Sequence, residues 1–193
     1  MKKLISWLAL LAACMLATGC AHPISMAPDL DAIQSTDSTR IQKSIALNVS
    51  DAARSLEVTT AGGGGDKVKY LPYRDLEPGI YKALNEVFAQ VTTVKTLADA
   101  KTGSAHLVLT PEITTHSFSD SLLTWPPTKF AINLTCKITD AQDNLVETIQ
   151  VSGDGFAPFE EFKGNFSLSA VRASNDTLRK LMQALRGSAV LNR

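Results

Sequence analysis

Apolar and polar residues alternate most regularly over residues 130–139. Phe130, Ile132, Leu134, Cys136 and Ile138 share one parity, and Asn133, Thr135, Lys137 and Thr139 the other. A strand of this kind belongs to a sheet covered on one face and wet on the other. The same period of two recurs at Ile45, Leu47 and Val49, at Leu56 and Val58, at Val68 and Tyr70, and through residues 105–118 with Leu107, Leu109 and Ile113. Residues 91–97 read as a further short strand, and Leu145, Ile149 and Val151 as a returning one. Two segments change to the helical period. Leu76, Ile80, Ala83, Leu84, Val87 and Phe88 form one stripe, and Ala170, Val171, Leu178, Leu181, Met182 and Leu185 another.

Punctuation supports these elements. Asp75 suits the N-cap of the first helix, with Pro78 in its first turn, and Gly187 closes the last helix just behind Arg186. Pro111 marks an edge or bulge in its strand. The run from Ala61 to Asp66, with four consecutive glycines, reads as a disordered hairpin loop. A phosphate cradle would need a helix N-terminus after it, and a strand pattern follows instead. Asp140–Asn144 supplies a polar turn. The fold class expected is α+β: a two-layer sandwich, mainly an antiparallel sheet with two amphipathic helices on one face.

The N-terminal pattern is different. Lys2 and Lys3 precede an apolar run from Leu4 to Leu16, and Ala17, Thr18 and Gly19 lead into Cys20. A run of about 13 residues is too short to span a bilayer, which takes about 20, so the order reads as an export signal. Ending on a cysteine, it resembles the lipobox of bacterial lipoproteins, with Ala17 where leucine is usual. The resemblance implies loss of residues 1–19 and acylation of Cys20. Ala21 follows in place of the aspartate that keeps many such proteins on the inner membrane, so the implied location is the outer membrane, lipid-anchored at its periplasmic face. The alternative is an ordinary signal cut nearby, leaving a soluble periplasmic protein.

Residues 20–43 then form the lipidated cysteine and a flexible tether, and 44–193 a single α+β domain. A chain of that length has an end-to-end distance of about 25 Å and a maximum reach of about 75 Å. The alternative is that part of it packs on the domain, through Ile33. Loss of Lys2 and Lys3 leaves 17 basic against 19 acidic residues, no basic footprint for nucleic acid. Of three cysteines only Cys136 remains free to react, so no internal disulfide is available and packing must hold the core. Its parity places Cys136 among buried neighbours.

No catalytic or metal motif stands out, and no cofactor is implied. His22 lies in the tether, and His106 and His116 would be roughly 33 Å apart along one strand, too far for one ion. The expectation is a non-enzyme. Two aromatic loops attract attention instead: Leu122–Pro127 with Trp125, and Phe156–Phe162 with Phe156, Phe159 and Phe162. The meander brings both to one end of the sheet, opposite the Asp140 turn. They read as a partner surface, as a grip on an apolar ligand or lipid, or as a cap folded onto the core.

The order of lipobox, strand pair, helix, three-strand meander and closing helix resembles small outer-membrane lipoproteins of the YajG type. It also resembles the auxiliary lipoproteins of lipid-transport ABC systems. That resemblance implies a binding or adaptor component of envelope assembly or maintenance, held to the membrane through acylated Cys20 and engaging an envelope protein. The alternative is a carrier of lipid or another small apolar ligand. The oligomeric state stays open.

Overall fold

The computed structural model describes residues 21–35, 38–119 and 126–193. Strand β1 (Ala21–Pro23) is the first element of the described residues, and a 3-10 turn follows at Leu30–Ala32. Then come β2 (Ile41–Asn48), α1 (Asp51–Arg54), β3 (Val58–Ala61), β4 (Lys67–Tyr70), α2 (Pro72–Val87), β5 (Phe88–Val94) and α3 (Leu97–Thr102). A meander of three 12-residue strands follows, β6 (Leu107–Phe118), β7 (Lys129–Asp140) and β8 (Leu145–Phe156). The short α4 (Phe159–Phe162) and the long α5 (Leu168–Gly187) close the chain.

These elements build an α+β sandwich. Its large sheet has the order β5-β2-β6-β7-β8, and a small sheet has the order β1-β4-β3. The long pairings, β6–β7 and β7–β8, are antiparallel, as the alternation requires. Strand β2 departs from that pattern, lying parallel to both β5 and β6. Parallel neighbours need a crossover, and the hairpin and α2 between β2 and β5 provide one. Pro111 sits two residues beyond Leu109, the last residue of β6 that β2 pairs, where one side of β6 becomes an edge.

Helices α2 and α5 cover one face of the large sheet. Their stripes are buried, Leu76, Ile80, Ala83, Leu84 and Val87 on one and Ala170, Leu178, Leu181, Met182 and Leu185 on the other. They meet Phe130, Ile132, Leu134, Cys136 and Ile138, also buried. At β8 the layers touch at backbone distance. A Cβ on Gly153 or Gly155 would collide with backbone atoms of α5 at Ala173 and Thr177, or at Ser169 and Ala173.

The N-terminal stretch corrects the sequence expectation. Instead of a mobile tether through Lys43, the chain joins the domain at Ala21, where β1 pairs in parallel with β4. Met26 and Ile33 are fully buried in the main core, and β2 begins at Ile41 rather than Ile45. Asp75 holds this stretch: its carboxylate accepts the Met26 amide at 3.0 Å and the Ser25 hydroxyl at 3.2 Å. The final helix grips it too, with Ser174 Oγ donating to the Met26 carbonyl at 2.6 Å and Asn175 accepting the Asp29 amide at 2.9 Å. Sparse, irregularly spaced apolar residues produce no period, yet three of them, Ile24, Met26 and Ile33, dock the segment.

Because Asp75 is used this way, it is not the N-cap of α2. The helix starts at Pro72, whose missing donor is harmless at that position, after Leu71. Pro78 consequently lies past the first turn, inside the helix. The glycine loop is also more defined than expected. Gly62 donates to the Asp66 carbonyl at 2.9 Å and Asp66 to that of Gly63 at 3.1 Å. Gly64 and Gly65 take φ of 66° and 88°, which residues with a Cβ rarely adopt.

Candidate functional site: the open face of the sheet and its aromatic end

Strict pairing of β6, β7 and β8 places their outward side chains in transverse rows. From the Asp140 turn upward, these are Thr110–Lys137–Thr148, Glu112–Thr135–Gln150, Thr114–Asn133–Ser152 and His116–Ala131–Asp154. The last row is Phe118–Lys129–Phe156. Every β8 member of these rows is exposed, whereas Ile149, Gly153 and Gly155, of opposite parity, are buried. Helix α3 covers only the lower margin, around Val108 and Thr139. The polar rows are knit together, with Asn133 accepting from Ser152 Oγ at 2.8 Å and Lys137 pairing with Glu112 at 3.6 Å.

The top row changes character. Phe118 and Phe156 are 40 % and 52 % exposed, and Lys129 Nζ lies 5.1 Å from the centre of the Phe118 ring, a cation–π contact. Together with Phe130, Ala131, Asp154 and Gly155 they line an open groove of about 390 Å³ at this end of the sheet. Phe159, just beyond, is 58 % exposed, while Phe162 is 2 % exposed and packs edge-to-face with it, ring centres 5.4 Å apart. Of the residues expected to bind a partner, Phe156 and Phe159 thus share one exposed end. Phe162 does not join them: it caps the core, because the single turn of α4 turns it inward. Trp125 and Cys20 lie outside the described residues. Phe118 and Lys129 were missed as site residues. The available signal was parity, since Phe118 continues the outward series Thr110, Glu112, Thr114 and His116, where a solvated strand would place another polar residue.

A half-buried hydroxyl network holds Ala21 near this end. Tyr70 Oη lies 2.6 Å from Thr115 Oγ1 and 3.2 Å from Thr60 Oγ1, which is 2.6 Å from Ser117 Oγ. Burial raises the Tyr70 phenol above its ordinary range against these hydrogen bonds. Ser117 Oγ donates to the Ala61 carbonyl at 2.5 Å, Ala61 pairs with Lys67, and Lys67 pairs with Ala21. On the other side, Ser25 donates its amide to Ser167 Oγ at 3.0 Å, at the start of α5.

Chemically reactive groups are held in structural roles. Ser44 Oγ is 2.7 Å from His106 Nδ1, but it also donates to the Ser104 carbonyl at 3.1 Å and accepts the His106 amide at 3.0 Å. Among the described residues no carboxylate hydrogen-bonds to this pair, and no group of three or more metal-ligating side chains occurs. Cys136 is fully buried, which pushes its thiol up to about 12 from 9.0. In a Cys20→Ser form without residues 1–19, Cys136 is expected to resist an aromatic disulfide reagent at pH 8 and to react fully in denaturing urea. Rapid release of the chromophore from folded protein would contradict its burial. The same shift has a linkage sign. The unfolded thiol ionises first, so this contribution to stability is intact below about pH 9. It falls by about 1.4 kcal/mol per pH unit as pH rises toward 12.

No protein-family model and no curated protein matches the chain. Among solved structures, a Xanthomonas campestris protein of the family DUF330 is similar over 89 % of this chain and 96 % of its own, at 13 % identity and a TM-score of 0.53. A minor lipoprotein from Acinetobacter baumannii covers 76 % of this chain and 94 % of its own, at 15 % identity and a TM-score of 0.46. The first of these shows a shared fold.

Proposed function

We propose that this chain is a lipoprotein anchored through acylated Cys20 to the periplasmic face of the outer membrane. Its domain serves as a non-enzymatic adaptor that works by contact with another envelope protein. The order of basic, apolar and small residues before Cys20 supports the anchor. The uncovered face of β6–β8 is the observation that supports contact. Its polar rows from Thr110 to His116 form a continuous, in-register array that no described element covers. The alternative carrier reading, with lipid held between sheet and helices, finds less support, because α5 meets β8 at backbone distance and fills that space.

Two measurements test the proposal. Cys20→Ser is expected to move the protein from the membrane to the soluble fraction and to abolish metabolic labelling with palmitate. An unchanged distribution would remove the anchor. A photo-crosslinking amino acid at Asn133 is expected to yield one discrete adduct in cells, and the same probe at Gln183, exposed on α5, none. Equal adducts from both positions, or none from Asn133, would remove the adaptor role from the sheet face.

A further inference from the structure

Ala21 is already paired in β1, so a lipid on Cys20 would have no tether between it and the domain. One residue spans at most about 3.5 Å, so the domain would lie directly against the headgroups. Which part of it does so follows from the pairing of β1. Ala21 is two strand spacings, about 10 Å, from Ala61, whose carbonyl binds the residue before Phe118. Four residues later, Ser25 is bonded to the residue after Phe166. Both ties lead to the aromatic end of the sandwich.

That end holds all the exposed phenylalanines. Of seven in the chain, Phe88, Phe130 and Phe162 are buried, and Phe118, Phe156, Phe159 and Phe166 are exposed. Charges around them largely cancel. Lys163 pairs with Glu160 and Arg172 with Glu161, while Lys129 lies over Phe118, and Lys67, Asp66 and Asp154 complete the rim. An apolar tip with a balanced, amphipathic rim suits the boundary between headgroups and acyl chains.

We infer that the aromatic end is a membrane-seating surface, with Phe118, Phe156 and Phe159 resting in the phospholipid headgroup region of the bilayer that holds Cys20. This rests on the lipid anchor proposed above. The strands then stand away from the membrane, and the Asp140–Asn144 turn lies about 40 Å out, the length of a 12-residue strand. The polar rows would face sideways, open to a partner standing on the same membrane.

The test uses full-length acylated protein in vesicles of phosphatidylethanolamine and phosphatidylglycerol. A fluorophore is attached at Phe159→Cys or Phe156→Cys, or at Leu145→Cys, an exposed position at the opposite end; buried Cys136 stays unlabelled. Lipid carrying a nitroxide at the headgroup is expected to quench the labels at 159 and 156 at least threefold more than the label at 145. Equal quenching at the two ends in protein that floats with vesicles would overturn the seating and leave the anchor standing. So would shielding of 159 by an added envelope protein without quenching by lipid, which would make this end a protein interface. Failure of the acylated protein to float would overturn both.

Discussion

Gly155→Ala is expected to destabilise the fold by about 3 kcal/mol, at the upper end of the range for overpacking a filled interior. The added methyl would meet the Ser169 carbonyl and the Ala173 amide, both backbone atoms of α5. Neither can rotate away, so relief requires moving the helix. The helix is held in turn by Leu178, Leu181 and Leu185, all fully buried. Small residues on α5 explain the close approach, since Ala170, Ala173, Ser174 and Thr177 lie in its buried stripe. Urea unfolding reads the effect as a midpoint lower by at least about 1 M, given slopes of about 1–3 kcal/mol per M for domains of this size. Gly164→Ala is the control: its Cβ meets nothing within 4 Å, and the midpoint should hardly move. If Gly155→Ala unfolded like the control, the two layers could not be as close as described.

Met26→Ala should cost about 3 kcal/mol, within the range for emptying a core position. A residue in a solvated tether would cost nothing. Met26 is fully buried, and its backbone is fastened at both ends, by Asp75 on α2 and by Ser174 on α5. Asp75→Ala attacks the same latch through hydrogen bonding. It leaves the buried Met26 amide without its acceptor, a loss of about 2 kcal/mol. Asp75→Asn retains an acceptor oxygen and should cost less. Limited proteolysis supplies the second readout. Cleavage between residues 21 and 35 should be slow in the parent and fast in Met26→Ala and Asp75→Ala. Equal susceptibility of all three would return this stretch to the status of a free linker.

These two sites also mark where sequence reading succeeds and stops. Periodicity located the meander, both long helices and the β3–β4 hairpin, because each buries a regular set of side chains. Alternation over 130–139 even indicated which face is covered. Pairing between distant segments leaves no period. Nothing near Ile45 announces that β2 lies parallel between β5 and β6, and nothing near Met26 announces Asp75 as its acceptor. Local chemistry misled at Asp75, where a good capping residue serves another segment. At the candidate site, strand order placed Phe156 and Phe159 at one end with the loop that holds Trp125. It could not show that Phe162 turns inward, because one turn of helix separates an exposed ring from a buried one.

The grip of α5 on Met26 and Asp29 joins residues nearly 150 positions apart in sequence. A chain emerging N-terminus first therefore cannot complete its domain until its last twenty residues have arrived. Contacts of such long range slow folding.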